Sequence, residues 1–218
     1  MEAFISGFVG TLITHPLEVL KLKSQINNKR LINTSLLMNG IILNPTVYGL
    51  HYLIYYNVYN ELKNKHVGAF SAGFIAQGAS SLLLNSIWVI RTKKMGLGMS
   101  YSNIYKEFNK SYFYRGLWYS NLICFQSGTT FQILEHLNTT NDNEVINAFL
   151  SKTISGILYY PFDTIKNVIR SETNVSSSDL FHNLSKEGFL RFYRGLSFYL
   201  IKSVPSFVIV NFIYSKLN

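Results

Sequence analysis

Three short segments share one pattern at near-equal intervals, and that periodicity constrains the fold more than composition does. Pro16-Leu-Glu18-Val-Leu-Lys21 recurs as Pro161-Phe-Asp163-Thr-Ile-Lys166. Between them, Ser86-Ile-Trp88-Val-Ile-Arg91 keeps the base and replaces the proline and the acid. The intervals are 70 positions (16 to 86) and 75 positions (86 to 161). A second series, Met38-Asn39-Gly40, Tyr114-Arg115-Gly116 and Tyr193-Arg194-Gly195, has its glycines 76 and 79 positions apart. A single Pro-x-acid-x-x-base match arises easily by chance, but two interleaved series in register do not. They predict three helix–loop–helix repeats, at residues 1–66, 67–141 and 142–218.

Each repeat contributes two apolar stretches, near 3–22, 39–59, 69–90, 117–134, 146–165 and 196–214. Few windows reach the ~18 clean apolar residues of a simple membrane span, because each stretch carries Gly, Ser, Thr, Asn or a charge. Six such stretches of about 20 residues read instead as a bundle around a polar cavity, with small residues where helices touch. Gly7, Gly10, Gly73, Ala76, Ser151 and Ser155 supply those positions. Charged residues are 14% of the chain, below the ~25% of soluble domains, and mean hydropathy is positive. This excludes disorder and disfavours a small soluble enzyme. The single cysteine, Cys124, excludes an intrachain disulfide and any multi-cysteine metal site. Net charge is +9, but the basic residues sit singly near the ends of apolar stretches. Nucleic-acid binding expects a basic face with interleaved aromatics, so lipid or a small anion is the expected partner. Met1 is followed by Glu2 and an apolar stretch without a basic leader, so targeting is expected to be internal.

Over about residues 3–217 the chain resembles the mitochondrial carrier family. The resemblance rests on Pro16/Glu18/Lys21 with Gln25, on Pro161/Asp163/Lys166, on Lys186-Glu187-Gly188 with Phe192-Tyr193-Arg194-Gly195-Leu196, and on Val204-Pro205. It implies an all-α membrane protein, six transmembrane helices in a threefold pseudosymmetric barrel, acting as a monomer in the mitochondrial inner membrane. Asn85-Ser86-Ile-Trp88-Val-Ile-Arg91-Thr92-Lys93, Ser151-Lys152 and Tyr160-Pro161 resemble the branch that carries pyrimidine nucleotides, folate/FAD and NAD.

The resemblance also implies roles. Proline near the end of an odd-numbered stretch removes a backbone hydrogen bond and bends the helix, so that three such helices can converge on a floor. By family analogy this matrix gate pairs Glu18 with Arg91 and Asp163 with Lys21; Trp88 leaves Lys166 without an acid from its neighbour. Gln25 can brace one pair, and Met95 and Arg170 stand at its place in the other repeats. Water-bathed pairs would contribute only ~0–1 kcal/mol each. The plainer reading makes these charges interfacial anchors. At the opposite end, Tyr59-Asn60-x-x-Lys63, Leu134-Glu135-x-x-Asn138 and Tyr214-Ser215-x-x-Asn218 cannot give a full set of acid–base pairs. That predicts leaky exchange or a bias toward one state.

Arg115/Gly116 and Arg194/Gly195 match the family's cardiolipin pattern, in which helix N–H groups hold a lipid phosphate; an ordinary cap is the plainer alternative. Family alignment places substrate contacts at Val47, His51, Tyr55, Ile123, Cys124, Lys202 and Ser203. Lys202, a cation within an apolar span, suits an anionic solute unless it snorkels to the interface. His51 alternatively serves as an interhelical donor. The first loop is too short for its amphipathic helix, the second (100–110) is intermediate, and the third offers Ser176 or Asp179 as a helix cap. The expected function is exchange of nucleotides or nucleotide-like cofactors by alternating access. No catalytic set, metal or cofactor is implied beyond a structural lipid. The rival is a degenerate, non-transporting membrane adaptor.

Overall fold

The computed structural model describes residues 2–26, 37–140, 143–172, 175–203 and 206–207, and among them there is no strand. Most of the tail half of the sixth stretch, with Val204-Pro205 and Tyr214-Ser215-x-x-Asn218, lies outside the described residues. So does most of the first loop.

Helix α1 (Glu2–Ile13) and helix α2 (His15–Ile26) meet at Thr14 with a bend of 69°. Pro16 follows the break, in the first turn of α2, where its missing N–H removes little. Helix α3 spans Leu43–Asn64 and helix α4 spans Ala69–Thr92, which runs on into a π-helical turn, Lys93–Leu97. Ser86 retains its N–H and has no ring, and the helix passes through it unbroken. Two short helices, α5 (Tyr101–Lys106) and α6 (Ser111–Tyr114), lead to α7 (Leu117–Thr140). Helix α8 (Glu144–Ser171) contains Pro161 yet continues for 28 residues. The proline bend expected at each odd stretch therefore interrupts the chain only at the first. Helix α9 is Ser177–Lys186, and Ser176 accepts from the Ser178 N–H as its N-cap, one of the two residues expected. A 3-10 turn, Phe189–Tyr193, precedes a helix over 196–203, here α10.

Helix α3 packs on α1 and α4, α4 on α7, α7 on α8, and α8 on α2, so the contacts return to the first repeat. Small residues permit the close approaches. A Cβ on Gly128 would stand 2.8 Å from the Phe70 carbonyl, and Gly7, Gly10, Gly73, Ala76, Ser151 and Ser155 are all buried. The distribution of polarity is inverted relative to a soluble domain. Glu18, Lys21, Arg91, Arg170 and Lys202 are buried, whereas Leu82, Leu83, Leu158 and Ile201 are exposed on the outer surface. Apolar outside and charged inside is the arrangement of helices that face lipid around a polar interior. By length and composition, Ala69–Leu97 qualifies alone as a membrane span and the bent α1–α2 pair qualifies together. Helices α3, α7 and α8 have 22, 24 and 28 residues but carry more polar positions.

The three repeat glycines all have positive φ: Gly40 +75°, Gly116 +70° and Gly195 +87°. At two of them glycine is required twice over. A Cβ on Gly116 would lie 3.0 Å from Arg170 Cγ and 3.3 Å from the Lys166 carbonyl; on Gly195 it would lie 3.2 Å from the Lys21 carbonyl. Each turn thus abuts the gate helix of the following repeat in cyclic order.

Candidate functional site

The ends of α2, α4 and α8 bring the repeated charges together at the floor of one cavity. Arg91 donates to Glu18 as a close ion pair, and Lys21 Nζ lies 2.7 Å from Asp163 Oδ2. Both expected pairs are therefore formed. Their burial corrects the expectation of water-bathed contacts: Glu18 is 1% exposed and Arg91 3%. Removing one partner from such a pair costs ~3–5 kcal/mol, well above the surface value. Lys166, denied an acid by Trp88, turns to Asp163 on its own helix at 2.8 Å. Trp88 faces the cation of its own repeat, with Arg91 5.0 Å from its ring and 5.2 Å from that of Tyr48.

Gln25 braces as expected. Its amide donates to Asp163 Oδ2 and Tyr160 OH, both at 3.1 Å, and its oxygen accepts from Asn167 at 2.8 Å. At the equivalent positions Met95 is buried among Val19 and Leu22, whereas Arg170 donates to Asn85 Oδ1 at 2.6 Å and Ser120 Oγ at 2.8 Å. That bond joins the second and third repeats where sequence reasoning left no gate contact. A further polar link runs from Arg91 Nε through Asn44, whose amide bonds His15 Nδ1 at 3.0 Å.

Above this floor lies a cavity of about 150 Å³. Six cations line it (Lys21, Arg91, Lys152, Lys166, Arg170 and Lys202) against two carboxylates, Glu18 and Asp163, a surplus of four. Tyr48, His51, Tyr52 and Trp88 form an aromatic wall, and Gln77, Ser81 and Gln126 add neutral polar groups. An anion carrying a planar ring matches this combination, since the cations bind its charge and the wall its ring face.

Of the seven residues expected to meet substrate, Lys202, Ser203, His51 and Ile123 line the cavity. His51 Nδ1 and Ser203 Oγ are buried without a hydrogen-bond partner among the described residues. The reading of His51 as a satisfied interhelical donor is thus not supported at Nδ1. Lys202 does not snorkel; its ammonium lies 3.3 Å from Glu18 Oε2 and 4.4 Å from the Tyr48 ring centre. Tyr55 lines only the cavity's upper extension, its hydroxyl bonded to Ser127 Oγ at 2.8 Å. Val47 and Cys124 are placed elsewhere. Both are buried and neither lines the cavity; the Cys124 thiol donates to the Ser120 carbonyl at 3.4 Å. Cys124 is one residue from Ile123, and ~100° of helical rotation turns it away. Lys152 and Gln126 were not singled out as contacts, although Ser151-Lys152 had already been noted as a motif.

At the opposite end, Lys63 and Glu135 form one interhelical ion pair at 3.0 Å, largely exposed. Tyr59 stacks near Phe131 at 4.7 Å, and Asn147 donates to Asn138 at 2.8 Å. The glycine turns also differ from expectation. Arg115 Nε donates to the Ile169 carbonyl at 2.9 Å, and Nη2 donates to the carbonyls of Glu172 and Val175. Arg115 therefore caps the C-terminal end of α8, a contact that neither reading of the glycine turn foresaw. Arg194 is exposed, and its carbonyl accepts from Tyr160 OH at 3.0 Å.

Comparison with known proteins bears on this arrangement. A family model described as mitochondrial carrier protein matches residues 138–218. The chain is 24% identical to the mitochondrial FAD carrier protein FLX1 of Saccharomyces cerevisiae, over 98% of this chain and 93% of that protein. It is 26% identical to solute carrier family 25 member 33 of Danio rerio, over 94% of this chain and 90% of the relative. Similarity extends at 27% identity to mitochondrial nicotinamide adenine dinucleotide transporter 1 of S. cerevisiae, over 83% and 60%.

Proposed function

We propose that this chain is a member of the mitochondrial carrier family and that it exchanges an anionic nucleotide or nucleotide-like cofactor across the mitochondrial inner membrane. The observation that carries the solute class is the cavity: a surplus of four cations beside the wall of Tyr48, His51, Tyr52 and Trp88. The names of relatives that carry FAD and nicotinamide adenine dinucleotide agree with it.

In this reading three repeats, 1–66, 67–141 and 142–218, build six spans with threefold pseudosymmetry, and the cyclic abutment of Gly40, Gly116 and Gly195 supports that symmetry. The floor formed by Glu18–Arg91 and Lys21–Asp163 is the closed matrix gate. An entering anion draws Lys202 from Glu18, which weakens the hold of the floor and favours the alternative state. A substrate shifts such an equilibrium only through its differential affinity for the two states, and the Lys202 contact supplies one. The chain acts as a transporter, without a catalytic step, and as a monomer. Cardiolipin phosphates sit at the turns of Gly116 and Gly195, where free helix N–H groups attract anions and Arg194 is exposed.

Reconstitution into liposomes loaded with a nucleotide panel tests the proposal. Counter-exchange of at least one nucleotide is expected. Exchange of other anions alone would overturn the solute class, and no exchange of any anion would favour the adaptor reading.

A further inference from the structure

We infer that Arg170 and Lys166 form a second anion subsite in the cavity floor, one that takes the additional phosphate of a di- or polyphosphate; this rests on the reading of the cavity as a nucleotide site. Arg170 is 3% exposed and lines the cavity. Asn85 and Ser120 both accept from Nη2, which fixes the guanidinium plane, while Nε is buried without a partner among the described residues. Nε faces the Gly116 turn, 3.3 Å from where a Cβ would stand there, so a ligand in the cavity meets the rest of the guanidinium.

Among the described residues, neither floor carboxylate pairs with Arg170. Asp163 already accepts from Lys21, Lys166, Gln25 and Asn167, which matches the roughly four acceptor sites of a carboxylate. Lys166 shares that acid with Lys21 and is the surplus member of the pair. Glu18 pairs with Arg91 through Oε1 and has the ammonium groups of Lys202 and Lys21 at 3.3 and 3.9 Å, while its Oε2 makes no hydrogen bond among the described residues. A guanidinium fork beside an ammonium suits a phosphate's several oxygens. Charge points the same way. A monophosphate brings about −2 and would leave about two of the cavity's four excess positive charges unbalanced. A second phosphate brings the total to about −3 and, reaching the floor, offsets one more of them.

Calorimetric titration of the detergent-solubilised full chain with inorganic orthophosphate and pyrophosphate tests this without a nucleoside. Pyrophosphate is expected to bind at least about tenfold more tightly, the factor that one further charge-assisted contact supplies. Arg170→Gln, which installs the residue found at the matching place in the first repeat, should cut pyrophosphate affinity far more than orthophosphate affinity and so bring that ratio close to one. Lys166→Met reads the same ratio if Arg170→Gln does not fold. Equal affinity of the wild type for both anions, or a parallel loss of both in the variants, overturns the subsite and leaves Arg170 a structural brace. A pyrophosphate preference in a chain that exchanges no nucleotide would sink the nucleotide reading alone.

Discussion

Lys202 of α10 reaches Glu18 of α2 across the cavity, Nζ to Oε2 at 3.3 Å, with both side chains buried. The cation expected to hold substrate thus also meets an acid of the proposed gate. Glu18 serves Arg91 and Lys202 together, so occupancy and closure compete for one ammonium. The first prediction follows from that competition.

Lys202→Gln should lower exchange in liposomes at least about tenfold, the effect of losing one charged contact, and Lys202→Arg should restore part of it. An unchanged rate in Lys202→Gln would remove Lys202 from the central site.

Asp163→Asn should be the most destabilising gate substitution. It leaves Lys21 and Lys166 buried without their shared counter-charge, and uncompensated buried ions cost ~3–5 kcal/mol. Thermal unfolding in detergent should show a larger fall for Asp163→Asn than for Glu135→Gln at the exposed pair. Equal falls would mean that water reaches the floor freely.

Gly195→Ala should destabilise by about 1–2 kcal/mol from the positive φ alone, with more from the crowded approach of the Lys21 carbonyl. Gly68→Ala is the matched control, because φ there is −58° and a Cβ would meet nothing within 4 Å. Thermal shift measurements on the two variants provide the comparison.

Lys63 and Glu135 form a largely exposed pair, of the kind that contributes only ~0–1 kcal/mol. Liposomes without internal substrate should therefore show measurable uptake, and Glu135→Gln should raise it. Undetectable uptake in both would mean that the aromatic contact of Tyr59 with Phe131 closes this end by itself.

Cys124→Ser should leave the transport KM unchanged, since the side chain turns from the cavity and a hydroxyl can replace the thiol as donor to the Ser120 carbonyl. A raised KM would return Cys124 to the substrate contacts.

Much of this was legible from residue spacing. The register of Pro16, Ser86 and Pro161 with the three glycines foretold helical repeats, and acid and base at fixed offsets foretold the Glu18–Arg91 and Lys21–Asp163 pairs. Positive φ at Gly40, Gly116 and Gly195 agrees with the repeated glycine. The substrate wall was only partly legible. Counting along a helix places a residue at a height, but its facing depends on helix rotation, which neighbours determine. Ile123 and Cys124 share a height and only one faces the cavity.

Sequence by itself determined that the chain repeats, that its charges are few and placed, and that lysines and arginines exceed the acids available to them. Tertiary structure decided how that excess is distributed. Long cationic side chains have several candidate partners within reach, and only the packed helices select among them. Packing gave Lys202 to Glu18, turned Lys166 back to Asp163, spent Arg115 on the end of α8, and fixed Arg170 on Asn85 and Ser120. Desolvation forces each of these choices, because a buried charge must find its partner within the few ångströms that helix packing allows.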